Sequence, residues 1–358
     1  MRAVPTCGLS DGRQRLRLRI ALGSLAVCLL LSCAAQPSSD SPNSTAHGRI
    51  KLNVCTSSTS STQVVALYAL DKGIFAKYGL DVSLTSTDSG SRAVAALISG
   101  GAKLCQISGP AVVNAVVAGA DVVIVTGVVN TYVYSLMVPA DIRSPADLKG
   151  KTVAVSTPGT ASESAMRLAL RAVGLQPHRD VAILAIGGQG ERMAAMEAGY
   201  VAGTLLSFPE ITLARQKGFH VLLDLSAMDL SDLHSGTVTS RAFIESNRTT
   251  VLNFVKAVAE AVFLIKKDKE GAVATLSKLL QLDIQKEAAA LGETYEVLLK
   301  RKLVDIPYPS LAAIEAVLAE IAHENPSAGR FRPEEVADLS VVRELEDSGF
   351  FRDLLGRQ

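Results

Sequence analysis

The chain has 358 residues and a formal net charge of +1, from 36 basic and 35 acidic residues. Trp is absent and aromatic residues make up only 4%, so neither a basic nucleic-acid face nor a stacking platform for bases is encoded. The five His residues (His47, His178, His220, His234, His323) show no metal-ligand spacing, which argues against a zinc enzyme or metal receptor.

In chain order, a leader comes first. Arg13, Arg15, Arg17 and Arg19 precede a short apolar run over 20–31, and Leu30-Leu31-Ser32-Cys33 closes it. A basic start, a short apolar core and small residues mark a secretory signal over 1–32. The run falls short of the roughly 20 residues that a bilayer crossing needs. A Cys at this point resembles the lipobox of bacterial lipoproteins, which implies lipidation at Cys33 and attachment to a membrane outside the cytoplasm. Residues 33–48, rich in Ser, Asn and Pro, read as a flexible tether. The leader removes five Arg and Asp11, leaving 31 basic and 34 acidic residues. About 326 residues remain, enough for two lobes. Of the five Cys, Cys7 and Cys28 leave with the leader, and Cys55 and Cys105 remain in strands. Buried free thiols and a bridge between neighbouring strands both fit them.

From residue 50 the chain alternates. Strands are predicted at 50–55, 81–85, 103–108 and 122–127, with helices at 62–77, 91–99 and 111–118. The pattern repeats with strands at 152–156, 181–186, 202–207 and 220–225 and helices at 161–173, 191–198 and 209–217. Such alternation implies βαβ units with parallel pairing. Val- and Ile-rich runs such as Val122-Val123-Ile124-Val125 suit strands covered on both faces. Extended apolar stretches at 134–140 and 235–240 are placed to carry the chain between lobes and back. Helices then dominate, at 248–267, 270–280, 284–300 and 310–323. Val251, Leu252, Val255, Val258, Val262 and Ile265 give one of them a helix-spaced apolar face. The expected layout is lobe one over 49–136 and 236–358, lobe two over 137–235, with a ligand cleft between them.

Lys72-Gly73-Ile74-Phe75-Ala76-Lys77-Tyr78-Gly79-Leu80-Asp81-Val82 resembles the opening of solute-binding receptors for aliphatic sulfonates, taurine, nitrate and thiamine-pyrimidine precursors. Ser89-Gly90-Ser91-Arg92-Ala93, Gln106-Ile107-Ser108-Gly109-Pro110-Ala111 and Ser144-Pro145-Ala146-Asp147-Leu148-Lys149-Gly150-Lys151 extend the resemblance. It covers about residues 50–300. It implies an α/β, two-lobed periplasmic-binding-protein fold (type II) with two hinge crossovers. It also implies a receptor, not an enzyme, that passes a sulfonate-like or pyrimidine-like solute to the membrane permease subunits of an ABC importer. The expected state is a monomer without cofactor. The alternative on the same fold is an enzyme of pyrimidine or thiamine-precursor synthesis. The cysteine-rich motif of that enzyme is missing here, since Cys55 and Cys105 lie far apart in sequence.

The residues carry their own reading. Gly79 suits a left-handed helix end, and Ser144 with Pro145 suits a helix start. In α/β sheets, ligands bind beyond the carboxyl ends of strands. The loops there are polar or glycine-rich and lead into helix N-termini, whose free N–H groups accept anions or other good acceptors. The ligand-binding candidates are Ser58, Thr59, Ser108, Gly109, Asn130, Gly159, Thr160, Gln189, Ser207 and Glu210. Arg92 is a candidate anion clamp, and Tyr132, Tyr134 and Phe208 can cover a flat ligand or pack at the hinge. Ser and Thr here also serve as helix caps; Thr160-Ala161-Ser162-Glu163 has the capping-box form.

Overall fold

A computed structural model describes residues 48–228 and 230–356. The leader, Cys33 and the tether up to residue 47 lie outside the described residues. Two sheets organise the rest. The first contains β1 (Ile50–Thr56), β2 (Leu80–Ser86), β3 (Leu104–Ile107), β4 (Val123–Ile124), β5 (Val129–Thr131) and β11 (Ser231–Thr239). Their order is β2-β1-β3-β11-β4, with β5 also on β11. The second contains β6 (Ser135–Val138), β7 (Thr152–Val155), β8 (Ala182–Ala185), β9 (Thr204–Leu206) and β10 (His220–Asp224), in the order β10-β6-β9-β7-β8. Pairs β1–β2, β1–β3, β7–β8 and β7–β9 are parallel, while β6, β10 and β11 run antiparallel to their neighbours. The chain crosses between the sheets twice, from β5 to β6 and from β10 to β11. We call the two halves the first and second lobes.

Helices fill the connections as period-3.6 patterning demands. The first-lobe set begins with α1 (Val64–Asp71), α2 (Ile74–Lys77), α3 (Gly90–Ile98) and α4 (Gly109–Val117). The second lobe adds α5 (Ala161–Ala172), α6 (Gln189–Glu197) and α7 (Glu210–Gln216). After β11 come α8 (Arg241–Ser246), α9 (Arg248–Lys267), α10 (Lys269–Leu280), α11 (Ala288–Thr294) and α12 (Leu311–Ala322), then shorter helices to residue 355. The single helix expected over 62–77 is split. Gly73 takes a left-handed φ of 67° between α1 and α2, and a 3-10 turn at Ser61–Gln63 precedes them. The stretch 284–300 is likewise broken into α11 and a π-helical turn over Tyr295–Leu299.

Helix α9 holds the first lobe together through two faces. Phe254, Val258, Val262 and Ile265 enter the core shared with α1 and β1. Val251, Val255 and Ala259 enter a second cluster with Val341, Leu345 and Phe351. Each fully buried Val, Ile or Phe contributes about 1.5–3 kcal/mol, so this helix is a main source of first-lobe stability. Leu252 of the expected stripe is only partly buried. The second lobe has its own cores, one under α5 and one between α6 and α7. Cys55 and Cys105 form a disulfide. They are register partners on the parallel strands β1 and β3, which brings their side chains to the same face.

Candidate functional site

The carboxyl ends of β1, β3, β7, β8 and β9 face one cavity of about 890 Å³ whose walls come from both lobes. Each strand stops where a Ser, Thr or Gly loop begins, and each loop opens a helix whose first N–H groups have no intrahelical partner. Ser58, Thr59 and Ser108 line the cavity from the first lobe. Thr160, Gln189, Ser207 and Glu210 line it from the second. Gly109, Asn130 and Gly159 do not line it. Asn130 donates through Nδ2 to the Tyr308 carbonyl at 3.0 Å and serves the wall behind. Gly159 belongs to a smaller cavity of about 370 Å³ between α4, α5 and α12.

Several lining groups hold one another. Ser58 Oγ and Ser60 Oγ lie 2.9 Å apart, and Ser60 Oγ lies 3.1 Å from Thr62 Oγ1. The Gln189 side chain donates to Ser207 Oγ at 3.0 Å and accepts from Ser207 N at 2.6 Å, which ties the β8–α6 and β9–α7 loops together. Thr160 Oγ1 donates to the Thr157 carbonyl at 2.7 Å. The capping carboxylate expected at Glu163 reaches one residue further than the box predicts. It accepts from Gly159 N at 2.5 Å, and its other oxygen pairs with Arg167 at 2.8 Å.

Two charged groups sit deep in the second-lobe wall. Arg192 is 2% exposed, and its Nε, Nη1 and Nη2 donate to Thr204 Oγ1, Gly187 O and Leu205 O at 3.0, 2.8 and 2.9 Å. Burial lowers its pKa, opposed by Tyr134 and Glu210. Glu210 opens α7, and burial pushes its carboxyl up to about 7, against the pull of its own backbone N–H and of Arg192. Its Oε2 is buried without a hydrogen-bond partner among the described residues. Across the cavity, Gln63 in the 3-10 turn is 2% exposed and its Oε1 is also unpartnered. The two places are close: Ser61 Oγ donates to the Phe208 carbonyl across the lobes at 2.5 Å.

Aromatic cover is modest. Tyr134 lines the cavity and packs edge-on to His234, ring centroids 4.9 Å apart, while His234 Nδ1 lies 3.3 Å from Asp232. Burial raises the Tyr134 hydroxyl pKa to about 12, so it stays a neutral donor. Tyr132 is buried, and Phe208 packs in the second-lobe core. Arg92 lines the mouth. Gln63, Arg192 and His234 escape a reading of the sequence. Arg192 alone leaves a trace, because it occupies a position four residues before Met196 on the buried stripe of α6. Among the described residues, no cluster of His, Cys, Asp or Glu is arranged to hold a metal ion.

Two α/β lobes, joined by two crossovers and closed on a polar cleft, define a periplasmic binding protein fold. The chain belongs to the NMT1/THI5 like family, whose model matches residues 61–272. No curated protein matches it. Among solved structures it is similar to the alkanesulfonate-binding protein SsuA from Xanthomonas axonopodis pv. citri bound to MOPS. That pair shares 20% identity with a TM-score of 0.66, over 80% of this chain and 95% of that one. It is similar to the periplasmic nitrate-binding protein NrtA from Synechocystis PCC 6803, at 16% identity and a TM-score of 0.71, over 84% and 89%. A mutant of DSZB in complex with biphenyl-2-sulfinic acid is a further relative in fold, at 15% identity and a TM-score of 0.61, over 84% and 99%.

Proposed function

We propose that this protein is an extracytoplasmic solute-binding receptor, tethered to lipid through Cys33, that delivers a small polar solute to the permease subunits of an ABC importer. The resemblance in fold to the sulfonate- and nitrate-binding proteins supports this reading. So does a cleft whose polar walls come from two lobes. Closure is a shift between open and closed populations, and a ligand drives it only by touching both lobes. Ser58, Ser108, Thr160 and Glu210 are the proposed contacts from this chain's strand-end loops, joined by Gln63.

Between the two ligand types, we infer a solute bearing N–H donors and not a bare oxyanion. The observation that carries this is the pair of unpartnered oxygens, Glu210 Oε2 and Gln63 Oε1, on residues that line the cavity from the two lobes. A sulfonate or nitrate brings only acceptor oxygens and, where Glu210 is ionised above about pH 7, would leave both unpaired, at a cost of about 1–3 kcal/mol each. An aminopyrimidine-like solute brings N–H groups to both, the Ser58 hydroxyl can donate to a ring nitrogen, and Thr160 Oγ1, whose proton goes to the Thr157 carbonyl, offers a further acceptor. The test is a thermal-shift and calorimetric panel on the mature chain. Saturable binding by aminopyrimidines, with none by taurine, alkanesulfonates or nitrate, is the expected result. Tight sulfonate binding overturns the ligand assignment, and no saturable binding by any member overturns the receptor. Intact mass after incubation with pyridoxal phosphate and iron separates the synthesis enzyme, which predicts an altered side chain.

A further inference from the structure

Behind the cleft, polar side chains meet inside the first lobe where an apolar core is the rule. Gln106, Ser235 and Thr237 are each 0% exposed. Gln106 Nε2 and Oε1, Ser235 Oγ and Thr237 Oγ1 have no hydrogen-bond partner among the described residues. The placement is not scattered. Gln106 on β3 and Thr237 on β11 are antiparallel register partners, and such pairs set their side chains next to each other on one face of a sheet. Ser235 lies two residues from Thr237 and shares that face. The 3-10 turn carrying Gln63 packs against β11, and Gln63 Oε1 is the fifth unpartnered atom.

Buried polar atoms in folded proteins are paired, with protein or with water, because leaving them bare is costly. Here the amide of Gln106 presents an unpartnered donor and an unpartnered acceptor at once. Exchanging the amide's oxygen and nitrogen does not relieve either. A cation would satisfy the oxygens and leave the NH2 bare; an anion would do the reverse. Water supplies both functions and prefers sites with two to four polar partners.

We propose that this face of β3 and β11 holds a cluster of about two bound waters, each making about three hydrogen bonds. The cluster forms the floor of the cleft beneath Gln63 and fixes the orientation of that amide toward the ligand. The proposal is independent of what the cleft binds. It makes Gln106, which does not line the cavity, a positioning residue for Gln63.

The experiment is a high-resolution crystal structure of the unliganded mature chain, with oxygen-17 relaxation dispersion of its water in solution. Ordered density is expected within hydrogen-bond distance of Gln106, Ser235 and Thr237, together with slowly exchanging internal water. Gln106→Met should lower the dispersion amplitude by about one long-lived water while leaving far-UV circular dichroism intact. If that variant fails to fold, Thr237→Val reports the same loss. Unchanged amplitude in a folded variant overturns the proposal. So does density that shortens to cation distances and vanishes when sodium is withdrawn, or direct pairing of the four side-chain atoms with one another.

Discussion

Glu210 joins local structure to the proposed function most directly. It stands in the first turn of a helix after Ser207-Phe208-Pro209, where an acid is ordinary in sequence. The fold sinks its carboxyl beside Arg192, and burial raises the pKa to about 7. The folded protein therefore holds a proton that the unfolded chain, with an ordinary carboxyl near 4.5, has released between those two values. Stability contributed at this site falls as pH rises through that window, and the cost is complete above about 7. Glu210→Gln should thus raise stability at pH 8 by up to about 3 kcal/mol, with the gain vanishing near pH 4.5. Urea melts at the two pH values check it. The same variant should bind an N–H-donor ligand about 10-fold or more weakly at pH 8, since a charge-assisted acceptor is lost. Wild-type affinity for a neutral donor should tighten as pH rises through about 7. Arg192 behaves differently. Its three donors satisfy the acceptors Thr204 Oγ1, Gly187 O and Leu205 O. Arg192→Met should cost about 2–4 kcal/mol by leaving those acceptors bare, read as a lower urea midpoint at unchanged slope. The candidacy of Glu210 was legible because a strand end and a helix start bracket it. Arg192 and Gln63 were not, because their role depends on which neighbours the fold brings near.

Elements were legible wherever one physical rule dominated. The stripe of α9 and the Val-rich strands followed from periodicity and burial alone. Breaks inside helices were harder. Gly73 permits a left-handed turn but does not demand one, and packing decides that α1 ends there. The sequence pattern marks only the second half of the long β11, because Asp232 and His234 are polar in sequence yet buried in the hinge. Gly236 on this strand lies so close to the Thr126 carbonyl that an added Cβ would collide with backbone. The β1–β3 disulfide is a further element-scale feature that residue types alone left open. It closes a loop with a sequence separation of 50, which by chain entropy stabilises the fold by about 4 kcal/mol. A Cys55→Ala, Cys105→Ala variant should lose a comparable amount in urea unfolding. Unchanged stability would mean that the bond does not form in the folded protein.

At the scale of the molecule, the lobes are held by a polar seam as well as by the hinge. Arg171 pairs with Glu320 and Arg167 with Glu324, joining α5 of the second lobe to α12 of the first. On α7, Thr212 Oγ1 donates to Glu293 at 2.6 Å beside Arg215, 3.6 Å from the same carboxylate of α11. Ser89 and Thr157 hydroxyls meet at 3.2 Å across the cleft. Opening the cleft must break these contacts, so they bias the closed population before any ligand arrives. Each exposed or partly exposed ion pair contributes only about 0–1 kcal/mol. The α5–α12 pairs together therefore shift the balance by about 30-fold at most, enough to tune closure and too little to lock it. Neutralising the first-lobe partners with Glu320→Gln and Glu324→Gln should expand the unliganded protein in small-angle scattering. It should also weaken ligand binding by about 3- to 10-fold. Screening gives the control: added salt should weaken wild-type binding and leave the variant nearly flat. If scattering, affinity and salt response all match between the two proteins, the seam is decorative and the hinge alone sets the equilibrium.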